Sequence, residues 1–277
     1  MPRNFLIIYA AREGSSAIVA RLSRNPHVLV PVFEELDRYW MQKFYADRDL
    51  VETIDRVYAT GRLDLPNKFG ARKYLAAAED AQPRAHCAVG FKWRPHGVDR
   101  KLLDCLCRHE VLVLHLVRRD FAELICSLFI SGQEVDGKRI GHAQFKAARS
   151  EEARARLSED LDALTVPAAF RPVARLALRR LGRAVLQRLF LTRVRARGLQ
   201  TRIIHYEDFN ADPDGFFADL CAMLEVPAAV SDKDGPRREL RKVAQRPAKE
   251  RVTGLDRWPL RPVMALSGRI YARLVAG

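Results

Sequence analysis

Short, mostly apolar runs alternate with longer segments of helical periodicity along the chain. The apolar runs cover residues 5–9, 28–33, 88–93, 111–117 and 201–205. Fully apolar strands separated by helices are typical of a parallel sheet covered on both faces. The pattern therefore predicts an α/β fold, a three-layer sandwich with a central parallel sheet of about five strands. Pro31 places the second run at a sheet edge or a strand end.

Three segments have the spacing of helices that cover such a sheet. Residues 36–63 carry apolar positions at helical intervals, and Gly61 is a suitable C-cap. A helix is predicted over 120–131, with Asp120 at its N-cap. Another begins at Asp212-Pro213, because proline is favoured in the first turn of a helix.

Residues 133–200 depart from the alternation of strands and helices. Residues 133–150 are polar and predict a loop, and 151–164 have helical spacing. Residues 171–197 carry nine arginines and no acid, interleaved with apolar residues. We interpret 1–277 as a single domain with a basic helical insertion at 133–200.

The net charge indicates which class of binding partner to expect, and the cysteines indicate the cellular compartment. Lys and Arg number 48 and Asp and Glu 34, which gives a net charge of +14 and favours anionic partners without choosing among them. The five cysteines lack zinc-knuckle spacing, and no cluster of His, Asp and Cys ligands is visible, so we expect reduced thiols and no metal. We see neither a signal peptide nor 18 consecutive apolar residues, and expect a cytoplasmic protein.

The first predicted strand ends in a turn that suits an anion. This turn reads Arg12-Glu13-Gly14-Ser15-Ser16. The amides at the start of the following helix attract negative charge, Gly14 permits close approach, and Arg12 adds a charge-assisted fork. The alternative is a capped helix start without a ligand, with Ser15 or Ser16 as the N-cap.

A second candidate anion site follows the run 111–117. Arg118 and Arg119 stand at its carboxyl end, where ligands bind in open α/β sheets. Ser127 comes two helical turns after Arg119 and can face the same side. The alternative is that Asp120 caps the helix and one of the arginines pairs with an acid.

These segments together resemble the sulfotransferases that use 3′-phosphoadenosine 5′-phosphosulfate (PAPS), in particular bacterial enzymes of the carbohydrate and glycolipid type. The turn at residues 12–16 resembles their phosphosulfate loop, and residues 115–127 resemble their 3′-phosphate motif. Further similar segments are Gly90-Phe91-Lys92, residues 204–213, residues 221–227 and Arg251-Val-Thr-Gly254. Glu13 replaces a small residue of the family's loop, and Gly254 stands where many members have Asn.

The resemblance implies a P-loop-like nucleotide-binding core and a set of site residues. PAPS, or its product 3′,5′-adenosine bisphosphate, would be bound by residues of the two motifs and of the late segment: Arg12, Glu13, Gly14, Ser15, Ser16, Arg119, Ser127, Arg251 and Gly254. Arg12 would also stabilise the leaving group, and Lys92 would contact the sulfonate or the acceptor. The general base would be Glu34 or Glu35, and no metal is required. The alternatives are that both acids merely start a helix, and that the head of Lys92 reaches solvent.

The expected acceptor is a hydroxyl-bearing small molecule, a carbohydrate or a glycolipid. The basic segment 171–197 would either contact an anionic membrane at the inner face or bind an anionic acceptor. No nucleic-acid partner is expected, because no recognition motif is visible. The oligomeric state stays open. The competing functions are a nucleotide-dependent kinase, which lacks a P-loop lysine motif here, and a non-catalytic basic module that binds polyanions or membranes.

Overall fold

The structure is a computed structural model of the 277-residue chain. It describes residues 3–66, 87–97, 99–131, 134–135, 138–139, 155–156, 159–160, 162–229 and 247–276.

The strands and helices of the described residues follow the alternation expected from the sequence. The strands are β1 (Phe5–Ile8), β2 (Val28–Leu29), β3 (Ala88–Trp93), β4 (Leu112–Val117), β5 (Glu134–Val135), β6 (Lys138–Arg139), β7 (Val166–Pro167), β8 (Thr201–His205) and β9 (Val252–Thr253). The helices are α1 (Ser15–Leu22), α2 (Arg38–Phe44), α3 (Leu50–Thr60), α4 (Arg100–Arg108), α5 (Phe121–Ile130), α6 (Phe170–Ala196), α7 (Tyr206–Ala211), α8 (Pro213–Met223) and α9 (Leu260–Val275), and a short 3₁₀ helix covers Ala248–Arg251.

The chain forms two compact units. The first contains Met1–Val117 and Leu186–Leu240, and the second contains Arg118–Val185 and Arg241–Gly277. The long helix α6 contributes residues to both units. Within the second unit, α5 and the 3₁₀ helix pack together, and β7 pairs with β9.

The first unit is built on a five-stranded parallel sheet in the order β2-β3-β1-β4-β8. One face buries apolar residues against α2, α3 and α4, and the other buries them against α1 and α8. This confirms the predicted α/β fold with a central parallel sheet between helical layers. The second apolar run forms a strand only over Val28–Leu29 and lies at the edge, as Pro31 indicated.

The predicted helical stretch 36–63 is divided into two helices, so the prediction of continuous periodicity was wrong. Tyr45 leaves helical geometry, with φ at −139°. Asp49 then begins α3 by accepting hydrogen bonds from the amides of Val51 and Glu52 at 2.8 and 2.9 Å. Gly61 ends α3 with φ at +66°, as expected for a glycine C-cap.

The basic segment 171–197 is helical, as predicted, and forms most of α6. Inside the predicted loop at 133–150, Glu134–Val135 and Lys138–Arg139 pair as an antiparallel two-stranded sheet, so that part of the prediction was wrong. Of the predicted helix at 151–164, residues 155–156, 159–160 and 162–163 are helical, as expected. Residues 140–154, 157–158 and 161 lie outside the described residues, and the predictions for them stay predictions. In the part of the chain that the structure describes, no helix is long and apolar enough to cross a membrane.

Candidate functional site

The turn at residues 12–16 joins β1 to α1 at the carboxyl edge of the sheet. Gly14 has φ at +79°, and a Cβ built there would lie 2.3 Å from ring carbons of Tyr206. Only glycine satisfies both conditions, so the turn depends on this residue. Arg12 also has a left-handed backbone, with φ at +72°, a conformation that costs free energy for a side chain of its size.

The amides at the start of α1 supply the positive end of a helix. Gly14 is the N-cap and makes no side-chain cap, and the first amides of a helix have no carbonyl partner inside it. Ser15 is buried and Ser16 is half-buried at this end. The N-terminal end of α1 can therefore attract an anion, which the hydroxyl of Ser16 could also contact.

Glu13 does not face this helix end. Its side chain is fully buried, and its Oε2 accepts a hydrogen bond from the amide of Ala10. The carboxylate ties the turn back to the end of β1. This contact gives Glu13 a structural role in the turn.

Lys92 reaches the turn from the neighbouring strand β3. Its Nζ lies 2.6 Å from the Ser16 Oγ and 2.9 Å from the Glu34 Oε1, and its side chain is wholly inaccessible to solvent. The ammonium also lies 4.0 Å from the centre of the Phe33 ring and 5.2 Å from that of Tyr9. A buried cation is tolerable here because a carboxylate, a hydroxyl and two aromatic faces surround it.

The two adjacent carboxylates, Glu34 and Glu35, have different environments. Glu35 is completely buried, and its Oε2 accepts hydrogen bonds from the amides of Phe33 and Glu34 at 2.8 and 3.0 Å. The side chain of Glu34 is 28% exposed and pairs with Lys92. Glu35 therefore holds the turn after β2, and Glu34 is the carboxylate that faces the Lys92 cluster.

A second group of polar residues, which the sequence analysis did not single out, lies beside this cluster. Arg94 Nε is 2.8 Å from the Asp37 Oδ2, and His96 Nε2 is 3.7 Å from the same oxygen. The Arg94 guanidinium lies 5.4 Å from the ring centre of Tyr9. Arg94 follows Lys92 by two residues, so the two-residue period of an extended chain was a usable signal.

Burial and charge set the ionisation of this second group. Burial opposes the ionisation of Asp37, but the neighbouring His96, the charge of Arg94 and a hydrogen bond from the Tyr39 amide outweigh it and lower the pKa. Burial raises the pKa of Tyr9, and the carboxylates of Glu34 and Asp37 add to this against the opposing charge of Arg94. Tyr9 is therefore a neutral phenol, and Asp37 is an anion over the physiological pH range.

A cavity of about 530 Å³ lies next to His96 in the first unit. Its walls come from α2, α3 and the segment that joins β3 to α4, and they include Met41, Tyr45, Trp93 and Leu102. This volume lies within the usual range for small-molecule pockets, which have mostly apolar walls and a few polar groups. Tyr45, the residue that ends α2, contributes an aromatic ring to the wall of this cavity.

The second unit holds the other predicted phosphate-binding residues. Arg118 is buried and pairs with Glu123 at 3.1 Å, whereas Arg119 is exposed and Ser127 is half-buried on α5. This pairing agrees with the alternative to an anion site, in which Asp120 caps the helix and one arginine pairs with an acid. Arg119 stays the candidate for anion binding.

Glu123 joins α5 to the late segment of the chain. Its two carboxylate oxygens accept hydrogen bonds from the amides of Ala248 and Lys249, both at 2.8 Å. Asp120 caps α5 through the amide of Glu123 at 2.9 Å and pairs with Lys249 at 2.8 Å. These contacts fix the 3₁₀ helix against α5.

That 3₁₀ helix ends at the buried Arg251, and Gly254 follows with φ at +80°. Within the second unit the structure thus brings the late segment to α5, the helix that carries Ser127. The residues of the first unit that it brings together are Ser16, Lys92 and Glu34.

Comparison with known proteins gives matches at the level of solved structures. No protein-family model matches the sequence, and neither does any curated protein. A sulfotransferase from Alicyclobacillus acidocaldarius is 17% identical, with a TM-score of 0.44 over 100% of this chain and 96% of that one. The sulfotransferase domain from the curacin biosynthetic pathway is 13% identical, with a TM-score of 0.44 over 99% and 98%.

Proposed function

We propose that the protein is a sulfotransferase that moves a sulfuryl group from PAPS to a hydroxyl of an acceptor. The observation that carries the proposal is the cluster of Ser16, Lys92 and Glu34 beside the N-terminus of α1. It places a hydroxyl group and a carboxylate within hydrogen-bond distance of the same buried cation. Stabilising charge, holding an oxyanion and accepting a proton are the tasks of a group transfer between two oxygens.

The donors of the turn fit the phosphosulfate end of PAPS, which supplies an activated sulfuryl group. The amides at the start of α1, the Ser16 hydroxyl and the Lys92 ammonium all donate hydrogen bonds. In this proposal Lys92 stabilises negative charge on the leaving phosphate oxygen, with Arg12 from the turn. The burial of Lys92 strengthens this effect, because a charge acts more strongly where water is excluded.

In this proposal Glu34 accepts the proton of the acceptor hydroxyl. Its side chain is partly exposed, so an incoming hydroxyl can reach it, while the buried carboxylate of Glu35 is engaged by two backbone amides. Lys92 orients Glu34 through the 2.9 Å ion pair. The contacts of the two carboxylates thus favour Glu34 as the base.

The exposed Arg119, with Ser127 and the late segment around Arg251 and Gly254, would bind the 3′-phosphate. Support comes from the position of these residues within the second unit. Arg119 is exposed just before α5, the helix that carries Ser127 and packs on the 3₁₀ helix of the late segment, and a guanidinium offers the planar fork that suits phosphate.

We propose that the acceptor, a carbohydrate or glycolipid, enters the cavity beside His96. The apolar walls suit the hydrophobic body or the sugar faces of such a molecule. His96 and the arginines at positions 38 and 48 supply polar contacts in the same cavity. The basic helix α6 would lie on an anionic membrane that presents the acceptor.

The cofactor proposal is tested by calorimetric titration with 3′,5′-adenosine bisphosphate, 5′-AMP and ATP, all without metal. We expect the bisphosphate to bind more tightly than the other two, and Arg119→Ala to lose about 10- to 100-fold in affinity through a lost charge-assisted contact. Arg179→Ala, which removes another exposed arginine, is the matched control and should bind normally. Equal or absent binding of all three nucleotides in the wild type would contradict a sulfotransferase and favour a kinase or a polyanion-binding module.

The proposed base is tested by transfer of ³⁵S from labelled PAPS to a panel of carbohydrate acceptors. Glu34→Gln keeps the shape of the side chain and removes the proton acceptor, so kcat should fall by about 10²- to 10⁴-fold. Binding of the bisphosphate should survive. The control is Glu52→Gln on α3, an exposed glutamate whose loss should leave kcat unchanged; an equally active Glu34→Gln enzyme would remove Glu34 from the mechanism.

A further inference from the structure

Three side chains of metal-ligating type meet on the face of the first unit that α3 and α4 cover. They are Asp55 of α3, Cys105 of α4 and His109 at the end of α4. Their carboxylate oxygen, sulfur and ring nitrogen all lie within 4.8 Å of one another. The His109 Nε2 is 2.8 Å from the Asp55 Oδ1, and the Cys105 Sγ is 3.7 Å from it. This cluster corrects the expectation from sequence that no group of His, Asp and Cys ligands is present.

The helical repeat accounts for the meeting of these residues. Cys105 and His109 are four positions apart, so they project from one side of α4. Leu102, Leu103 and Leu106 bury the inner face of the same helix in the core and fix its position against α3. The ring of Tyr58 packs on His109, with centres 5.5 Å apart. The three ligand atoms are thus positioned by packing that does not depend on a ligand.

The cluster lies at the edge of the sheet opposite the turn at residues 12–16. Helix α4 connects the carboxyl end of β3 to the beginning of β4, so its last turn lies at the amino edge. The hydroxyl of Tyr58, next to His109, donates to the carbonyl of Phe5, the first residue of β1, at 3.0 Å. A ligand held here would stabilise the fold and would not meet the reacting groups.

We propose that Asp55, Cys105 and His109 bind a divalent transition metal, with zinc as the best fit. A thiolate, an imidazole and a carboxylate together match the borderline-soft preference of Zn²⁺, and three protein ligands with one water complete a tetrahedral site. Ligand atoms of such a site lie about 3.5 Å apart, so the histidine and aspartate need to separate only slightly. Binding replaces the thiol proton, which leaves to solvent.

The surroundings of the cluster show how a metal ion could reach it and which group would compete for Asp55. Cys105 is fully buried, but the side chains of His109 and Asp55 are 19% and 37% exposed, which provides an entry path. Arg108 Nη2 lies 3.1 Å from the Asp55 Oδ1. That guanidinium is 63% exposed, and exposed ion pairs are weak, so a metal can displace it.

Cobalt(II) serves as the spectroscopic probe, because cobalt bound to a thiolate in tetrahedral geometry absorbs in the visible and near-ultraviolet. We expect one equivalent of Co²⁺ to give both bands in the full-length wild type and Zn²⁺ to bleach them. The charge-transfer band should disappear in Cys105→Ser. Cys107→Ser, which removes the thiol two positions further on, is the matched control and should keep the full spectrum.

Affinity for Zn²⁺, measured by competition with a chromophoric chelator, separates a metal site from a structural hydrogen-bond cluster. His109→Gln and Asp55→Asn should each lose about tenfold or more in affinity. Arg108→Ala should bind Zn²⁺ more tightly than the wild type, since it frees the Asp55 oxygen; a purely structural cluster predicts no such gain.

Each outcome of these measurements decides the proposal. Circular dichroism of each metal-free variant shows whether it folds. If a variant at one of the three ligand positions does not fold, a variant at another of these positions is used in its place. The proposal would be overturned if the wild type did not bind one equivalent of Co²⁺. It would also be overturned if the Cys105→Ser and His109→Gln proteins gave the same Co²⁺ spectrum as the wild type. Bisphosphate titration of the chelator-treated protein is independent and should be unchanged, so failure of the metal site and failure of the proposed transferase are distinguishable.

Discussion

At the scale of single residues, several side chains near the turn have roles that only their contacts explain. Glu13, Glu35 and Glu34 are all acids beside a candidate anion site. The first two hold backbone amides, and the third pairs with the lysine. The sequence could not distinguish Glu34 from Glu35, because the direction in which each carboxylate points is set by the turn after β2.

Gly14→Ala tests the requirement for glycine in the turn. The new Cβ would collide with Tyr206 at a positive φ, so we expect a loss of at least about 1–3 kcal/mol in the free energy of unfolding and a loss of bisphosphate binding. Denaturant unfolding measures the first effect.

Gly182→Ala on α6 is the matched control, because a Cβ there meets nothing within 4 Å. It should stabilise the protein by up to about 1 kcal/mol, since alanine favours the helix. Equal effects of the two substitutions would contradict the steric argument for Gly14.

The ion pair between the buried Lys92 and the partly exposed Glu34 predicts an asymmetry between two substitutions. Lys92→Met replaces a buried charge with an apolar chain of similar length and should change stability little, because removing a buried charge offsets the lost pairing. Glu34→Gln leaves the lysine cation buried without its carboxylate and should cost about 1–3 kcal/mol. Thermal unfolding of both variants checks the order, and a greater loss for Lys92→Met would contradict it.

The lowered pKa of Asp37 gives a pH dependence of stability. A carboxylate with a pKa depressed in the folded state stabilises the protein above its ordinary pKa of about 3.8. This contribution is lost as the pH falls through the lower, folded-state value. The wild type should therefore be more stable than Asp37→Asn by about 1–3 kcal/mol near neutral pH, and the difference should shrink below pH 4. A difference that stays constant down to pH 2 would show that the charge of Asp37 contributes nothing.

At the scale of elements, strands were predictable and helix interruptions were not. The largely apolar runs predicted as strands became β1, β3, β4 and β8 with nearly the predicted bounds, although β3, β4 and β8 also carry Lys92, His115 and Arg202. The break between α2 and α3 depends on the cap at Asp49, which competes with a continuing helical pattern. The cluster of Asp55, Cys105 and His109 joins two helices that are distant in sequence, so no local spacing revealed all three ligands.

The attachment of the late segment to α5 depends mainly on one carboxylate. Glu123→Gln weakens two amide contacts and the pair with Arg118, so we expect a loss of about 2–3 kcal/mol and faster proteolysis near residues 247–251. Asp256→Asn, an exposed position in the same segment, serves as the control. Limited proteolysis followed by mass spectrometry identifies the cleavage site, and unchanged cleavage would contradict the role of Glu123.

Helix α6 combines arginines with exposed apolar side chains, namely Leu178, Val185 and Leu189, which are 67%, 41% and 52% exposed. Their spacing of seven and four places them along one stripe. Each arginine near an anionic surface contributes about 1 kcal/mol, so we expect binding to vesicles rich in phosphatidylglycerol and none to phosphatidylcholine.

A variant with Leu178→Glu and Leu189→Glu should lose that vesicle binding while its bisphosphate affinity stays unchanged. Arg269→Gln on α9 is a control for a loss of charge elsewhere. Co-sedimentation measures all three proteins, and equal binding to both kinds of vesicle would contradict a membrane role for α6.

At the scale of the whole molecule, the +14 charge sets the background for every binding measurement. Non-specific attraction of any polyanion weakens as salt increases, because counterions screen exposed charges. Binding of the bisphosphate through buried donors such as Lys92 should depend on salt less than binding of heparin or nucleic acid. The composition predicts attraction to anions in general, whereas the proposed selectivity for the bisphosphate requires a few side chains that folding brings together, such as Ser16 and Lys92.

The strand order also bears on how the protein acquires its structure. Val113 of β4 pairs with Thr201 of β8, about 88 residues further along the chain. During synthesis, therefore, the edge of β4 that pairs with β8 stays without its partner until the segment between the two strands has been translated. Its sequence, LVLHLV, is apolar except for His115, and an open apolar edge of this kind can pair with other chains. Nascent chains that stop before residue 201 should need a chaperone to stay monomeric, and the complete chain should fold slowly, because its sheet closes through a contact of long sequence separation.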